Sequence, residues 1–479
     1  MRERIEPARR VAATARPETD TRVAQARRGR LVTWSRLLPW LALVLLLALP
    51  PLVWRQSWLL AYLAQTATMI VFALSYNLLL GETGLLSFGH AAYAGLGALI
   101  AAHVFNRFGV PLALLPLVGG AGAALCGALL GFISTRRAGT AFAMITLGIG
   151  ELVAAAAWTL PDWFGGEAGV AIDRASGPAF GAWTFGPARE AYTLIALWCL
   201  LASVAMFALT RTPFMRLANA VRDNPVRAAA IGCYPRRIRY GVVVMSAFFA
   251  GVAGTLALIN VELVSTESVS MLRSGSVLIA TVIGGTGAFF GPVAGAVVLT
   301  FFSTAVASVT RAWLFYLGLF FVVIVVAAPD GLAGFLARHA ARLVRYGWRS
   351  CRAVYLAGTA AFVLWSAAVV LAVQWAYAAQ FGADQGSAFG SVFGSVFSVT
   401  LGPALGASGV ASLLSFVGSS PMRLSLAIFA LAACGALAAF AARRAQHRFA
   451  AQARTQGPAQ GPEQAPAQAA ALHDSGDAR

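Results

Sequence analysis

Stretches of about twenty apolar residues, closed off by arginines, recur along this chain from residue 37 to residue 442, and no other feature restricts its fold as strongly. The hydrocarbon core of a bilayer is about 30 Å thick, and a helix needs roughly 20 apolar residues to cross it. By that measure spans fall at 37–54, 57–80, 85–106, 111–135, 139–159, 190–210 and 239–263, then a broken pair at 268–284 and 290–308, followed by 312–329, 353–378 and 424–442. Charged residues make up 11% of the chain, whereas a soluble surface needs roughly 25%. The expected fold is an all-α polytopic membrane protein, with about ten helices in the main array and two additional transmembrane helices near the C-terminus.

The charge balance, 36 basic against 18 acidic residues, resembles that of a nucleic-acid binder until its position is considered. The basic residues sit between apolar runs, which points to membrane lipid as the partner and to no nucleic acid. All of them are Arg, and the sequence contains no Lys. A Walker A loop uses its Lys to hold the β/γ-phosphates, so an ordinary ATP site is excluded and no cofactor is expected. The five cysteines are widely separated, without C-x-x-C or His at metal spacing, and read as core thiols. His90, His103, His339, His447 and His473 are scattered, and neither H-E-x-x-H nor G-x-S-x-G occurs, so an enzyme is not expected. Residues 1–36 are Arg-rich but contain Glu3, Glu6, Glu18 and Asp20, and read as a retained basic tail rather than a cleaved signal.

Orientation follows from arginine in short loops, which favours the cytoplasmic side. Residues 211–239 hold seven Arg and 337–352 hold five. An N-terminus inside, with one crossing per span, puts both loops inside, together with Arg136–Arg137 and the Arg443–Arg448 tail. The same count puts 160–189, with Asp162, Glu167 and Asp173, outside. Both termini are expected in the cytoplasm. The weakest span is 268–284, interrupted by Arg273 and by Gly284-Gly285-Thr286-Gly287; the alternatives are a half-helix lining a protected path and a loop between short tilted helices. Beyond residue 330 the character changes: an extension, 337–449, carries the last two spans and a Gly/Ser/Phe-rich stretch at 390–397, and 450–479 reads as a disordered tail.

Three segments interrupt the apolar pattern in an ordered way. In the first, residues 77–97, Gly89, Gly95 and Gly97 permit close helix approach, while Asn77, Ser87 and His90 need partners inside a bundle. In the second, Glu151 falls near mid-span, where an ionisable group costs ~2.5–3.5 kcal/mol and usually faces the protein interior; it reads either as a path-lining group or as a structural helix–helix hydrogen bond. In the third, residues 212–232, Pro213 opens an amphipathic helix, Asn224-Pro225 breaks it, and a second short Ala-rich helix ends at Gly232. Such a hairpin docks onto something or rests on anionic headgroups.

The strings YNLLLGETGLLSFGHAAYAGLGA, RAGTAFAMITLGIGEL, TPFMRLANAVRDNPVRAAAIG, VIGGTGAFFGPVAGA and PDGLAGF occur in this order. Over residues 57–336 the chain resembles the LivM-type permeases of branched-chain amino acid ABC importers, a family with urea and short-amide relatives. The resemblance implies an ABC permease domain over 37–336 in a bacterial inner (plasma) membrane, with a LivH-like second permease, separate ABC ATP-binding subunits and a periplasmic substrate-binding protein as partners. It also implies that the third segment is the ATPase-coupling helix, with Arg216, Arg222, Asp223, Asn224, Arg227, Ala228, Ala229 and Gly232 at the matching positions. The translocation-path candidates are Asn77, Ser87, His90 and Glu151.

The family's external loop often reads T-G-G-x-D-G. Here Gly165, Gly166, Glu167 and Gly169 keep the glycines and lose the first Thr and the Asp, so a binding protein or substrate meeting this loop can differ. Three rivals remain open: a urea or short-amide permease, a secondary transporter driven by an ion gradient, and a non-transporting membrane scaffold.

Overall fold

The computed structural model describes residues 37–51, 56–166, 168–178, 184–308 and 310–346, with helical positions scattered between 352 and 373. The tail 1–36, Glu167, the stretch 390–397, the expected span 424–442 and the tail from 450 lie outside the described residues. The chain divides into two compact units, Met1–Leu336 and Ala337–Arg479. The architecture described here is that of the first.

The first unit is built of helices: α1 Leu37–Pro51, α2 Ser57–Thr83, α3 His90–Phe108, α4 Leu115–Ser134, α5 Thr140–Thr159, α6 Ala188–Thr210, the amphipathic hairpin pair α7 Pro213–Asp223 and α8 Pro225–Ala230, α9 Pro235–Val261, α10 Met271–Gly284, α11 Gly291–Thr300, α12 Trp313–Ala327 and the amphipathic α13 Gly331–Tyr346, whose residues from Ala337 belong to the second unit. Among the described residues, five helices are long and apolar enough to cross a membrane by themselves, namely α2, α4 with the turn before it, α5, α6 and α9. The chain is an all-α polytopic membrane protein, although several expected spans are realised as shorter pieces. The expected span 290–308, for instance, is α11 continued by a π-helical turn, Phe301–Val306.

Helices α2 and α9 form the centre of the bundle, with residues from Leu60 to Thr83 and from Val242 to Ile259 deeply buried. Lipid tails are as apolar as side chains, so close packing of small residues, not hydrophobic drive, holds such helices together. Gly119, Gly127 and Gly131 of α4 bring its backbone against Thr255, Ala247 and Val243 of α9, and Gly97 of α3 meets Gly119 and Gly251 at the crossing of three helices.

Two breaks interrupt the array. Helix α2 ends at Gly84, whose φ of 69° lets its own N–H bond to the Leu80 carbonyl at 3.0 Å and the Leu85 N–H to the Leu79 carbonyl at 3.3 Å; a residue with a side chain resists this left-handed conformation. Residues 84–89 are unwound and α3 begins only at His90, so the span expected from residue 85 starts five residues later. The second break precedes α10. Strand β2 (Leu263–Val264) pairs antiparallel with β1 (Val170–Ala171), and the chain then dips through a 3-10 turn, Thr266–Val269. That turn reaches Gly95, whose Cα lies against Ser268 and Val269. Helix α10 thus begins beside the first turns of α3 and has only 14 residues, too few to span a bilayer alone. The Gly284–Gly287 run ends α10, and a short loop joins it to the ten-residue α11.

Candidate functional site

The unwound segment 84–89 and the first turn of α3 after it are held by three helices. Tyr76 of α2 donates its hydroxyl to the Ser87 carbonyl at 2.9 Å and accepts the Ser87 N–H at 3.2 Å. Thr146 Oγ1 of α5 accepts the Phe88 N–H at 3.2 Å. Ser274 Oγ of α10 accepts the Ala91 N–H, in the first turn of α3, at 3.0 Å. Backbone groups freed by a break inside a membrane bundle require such substitutes. Gly89 also lies flat on α5, where a side chain at either Gly89 or Gly150 would strike the other helix's backbone.

Against this segment the structure gathers three of the residues expected to line a path. Asn77, Ser87 and His90 are buried, with exposures of 6%, 0% and 1%. Ser75 donates its only hydroxyl proton to the Phe72 carbonyl at 2.7 Å and lies 3.0 Å from His90 Nε2. A hydroxyl has one proton to give, so the hydrogen-bond pattern assigns Nε2–H as the donor to Ser75 and Nδ1 as the acceptor of a neutral imidazole. Ser246 of α9 completes this set by donating to the Ser75 carbonyl at 2.6 Å. The side-chain atoms Asn77 Oδ1, Ser87 Oγ and His90 Nδ1 remain buried without a partner. Buried polar atoms are nearly always satisfied, and three such orphans fall within one short stretch of this chain.

One functional group was visible in the sequence only as an interruption. Arg273, in the first turn of α10, sits over the Phe72 ring at 6.0 Å, and the imidazole of His90 stacks on the same ring at 5.5 Å. Phe72 lies near the middle of α2, so the guanidinium is at mid-depth of the bundle. A charge there costs ~2.5–3.5 kcal/mol on insertion scales. Arg273 takes no part in the ion pairs Arg174–Glu262 and Arg222–Asp223.

Glu151 behaves differently from the expectation of an interior-facing carboxylate. The buried stripe of α5 is Thr146, Ile149, Gly150, Val153 and Ala157. At 3.6 residues per turn position 151 falls off that stripe, and Glu151 is exposed on the outward face of this chain. It does not join the cluster of Ser87 and His90.

The amphipathic hairpin forms as its sequence indicates. Thr212 caps α7, Asn224 Oδ1 accepts the Arg227 N–H at 2.9 Å to start α8, and Met215, Ala218, Val221 and Ala228 are its buried face. Arg222 is turned toward the chain itself: it pairs with Asp223 at 3.0 Å and donates to the Gly81 carbonyl. Asn219 Nδ2 donates to Glu82 Oε2 at 2.7 Å. These two contacts clamp the hairpin onto the end of α2, next to the Gly84 break. Arg216, Arg227, Ala229 and Gly232 are exposed.

At the opposite end, Gly165, Gly166 and Gly169 all take positive φ, at 75°, 59° and 72°, in the loop that leads into β1. His103 Nε2 lies 2.6 Å from the Trp163 carbonyl and Asn106 donates to the Ala171 carbonyl at 3.0 Å, fastening this loop to α3. Two clefts, of about 380 and 170 Å³, lie along α1, α2 and α6, and neither is lined by Ser87, His90 or Arg273.

Residues 58–328 match the family model described as branched-chain amino acid transport system / permease component. The chain is 29% identical over 311 residues to the high-affinity branched-chain amino acid transport system permease protein LivM of Escherichia coli (strain K12), covering 60% of this chain and 73% of that protein. It is 29% identical over 312 residues, with the same coverage, to the protein of the same name from Salmonella typhimurium. No solved structure matches it. The match takes in both helix breaks, the buried cluster between them and the clamped hairpin, and the chain therefore belongs to the family of permease components of branched-chain amino acid transport systems.

Proposed function

We propose that the chain is one permease of an ATP-driven importer that moves branched-chain amino acids inward across a bacterial inner membrane. A second, LivH-like permease completes the path, separate ATP-binding subunits hydrolyse ATP, and a periplasmic binding protein delivers the substrate. Residues 37–336 form the permease domain, flanked by a cytoplasmic basic tail (1–36), an extension (337–449) and a cytoplasmic tail (450–479).

The observation that carries this reading is a mechanical connection. The hairpin α7–α8 grips the Gly81–Glu82 turn, and that turn leads directly into the segment bearing Ser87. Movement of the hairpin by an ATPase dimer is thereby delivered to the polar cluster at mid-depth, as alternating access requires. Arg216, Arg227, Ala229 and Gly232 supply the exposed surface that meets the ATPase. Gly165, Gly166, Glu167 and Gly169 form the loop that meets the binding protein. Glu151, a carboxylate on an apolar outward face, is covered by the second permease and lines the path between the two.

The test is ATP-dependent uptake of labelled leucine by the reconstituted transporter, with valine, isoleucine, urea and aromatic amino acids as competitors. Uptake that tracks ATP and is competed by valine and isoleucine supports the reading. Competition by urea alone favours the amide-carrying relatives. Uptake that survives ATP depletion and collapses with membrane potential points to a secondary transporter, and assembly without any solute flux to a scaffold.

A further inference from the structure

We infer that Arg273 binds the carboxylate of the transported solute, at the point inside the bundle where α10 begins beside α3. This deepens the importer reading and rests on it, because it names the chemical group that the path recognises.

Four observations converge on this point. The Arg273 guanidinium is at the depth of Phe72, near the middle of α2, yet among the described residues it has no ion pair and no side-chain hydrogen bond. Glu267, in the preceding 3-10 turn, does not approach it to ion-pair distance. A membrane-embedded arginine almost always has a partner or a water-filled path beside it, and this one is only partly buried, which leaves it reachable. It stands in the first turn of a 14-residue helix, whose N-terminal dipole favours an anion. The adjoining helix α3 begins at His90, beside Ser87, whose hydroxyl is fully buried and unpartnered.

The protonation pattern divides the work. With Nε2–H committed to Ser75, His90 presents a bare acceptor at Nδ1 and suits an ammonium N–H rather than a carboxylate. The anionic end of an amino acid therefore falls to Arg273. A discontinuous helix offering its N-terminus to a substrate carboxylate at mid-depth is a general solution for amino-acid carriers. A path for urea or neutral amides has no use for an unpaired cation, so Arg273 also separates the two substrate classes within the family.

The experiment uses the purified transporter with its partner subunits but without the binding protein, so that recognition upstream cannot mask the permease. Ligand-induced thermal shifts are measured with leucine, isovalerate, leucinamide and urea. Leucine and isovalerate are expected to stabilise the wild type, and leucinamide and urea to leave it unchanged. Arg273→Gln is expected to weaken leucine at least about tenfold, and Arg273→Lys, which keeps the charge, to recover part of the loss. Equal shifts by leucine and leucinamide, no shift by leucine in a wild type that transports it, or wild-type leucine affinity in Arg273→Gln would each overturn the assignment. If Arg273→Gln fails to assemble, the ligand series on the wild type and Arg273→Lys decides. A wild-type transporter that carries no branched-chain amino acid under ATP would instead overturn the importer reading.

Discussion

The Arg222 guanidinium donates to the Gly81 carbonyl, joining the amphipathic hairpin to the last turn of α2. The same side chain pairs with its neighbour Asp223, and Asn219 holds Glu82 one residue further along α2. The hairpin is therefore attached to the helix that leads into the unwound segment, and a displacement of one end is felt at the other.

Arg222→Glu puts a carboxylate against a carbonyl and beside Asp223, so the clamp opens. The expected outcome is loss of ATP-driven uptake with normal membrane insertion and assembly, together with ATP hydrolysis that no longer responds to substrate. Retention of wild-type uptake by Arg222→Glu would refute the clamp as a coupling device. Arg227→Glu, on the exposed surface of the hairpin, is expected to act differently, by weakening co-purification of the ATPase.

Gly89 and Gly150 are in backbone contact, so Gly150→Leu forces α5 away from the break. Overpacking of this kind typically costs about 1–3 kcal/mol, which predicts a lower Tm of the purified complex. Gly148, two residues away on another face of α5 with open space around its Cα, is the control: Gly148→Ala is expected to leave Tm unchanged. Equal effects at the two positions would remove the contact from the account.

Ser75→Ala takes away the acceptor of His90 Nε2–H and the bond to Phe72. Side-chain hydrogen bonds between membrane helices average about 0.6 kcal/mol and reach about 1.7, so the fall in stability should be modest. The fall in leucine uptake should be larger, because the imidazole is freed to rotate and to present either nitrogen. Kinetics showing an unchanged KM and rate would indicate that the imidazole orientation is irrelevant to transport.

For Glu151, the prediction concerns what covers it. In a complex bearing Glu151→Cys, cross-linking is expected to join this chain to the second permease, and a lipid-soluble thiol reagent should label the position slowly. Rapid labelling from lipid, with no cross-link, would mean that the face is bare.

Ala at Gly165 or Gly169 must adopt a left-handed backbone that costs roughly 1–2 kcal/mol, and in both cases the added methyl meets neighbouring backbone. The expected result is weaker stimulation of ATP hydrolysis by the binding protein, with basal hydrolysis unchanged. Unaltered stimulation in both variants would separate this loop from docking.

The long helices were legible because lipid imposes a length and an apolar composition that α2, α4, α5, α6 and α9 all satisfy. The hairpin was legible because Pro213, Asn224 and Pro225 punctuate it chemically. The breaks were harder to read. Leu85 and Leu86 are as apolar as the helix before them, so hydropathy runs on where the backbone does not. Only Gly84 and Gly89 give a local sign, and what secures the unwound stretch is supplied by Tyr76, Thr146 and Ser274, the last almost two hundred positions away. Glu151 could be assigned a depth but not a side, since a nearly uniformly apolar helix gives little clue to which face its neighbours take. Arg273 looked like a defect in a span because its meaning depends on Phe72 and His90, which belong to other helices.

The triple suspension of residues 84–91 has a kinetic implication. Each of its three tethers ends on a different helix, so none can slide without surrendering a bond, and releasing one loads the other two. A strap held in this way resists small jolts and yields all at once when the supports shift together. A leak-tight barrier that opens only on a concerted stroke needs that behaviour, and a few exchanged hydrogen bonds are enough to provide it.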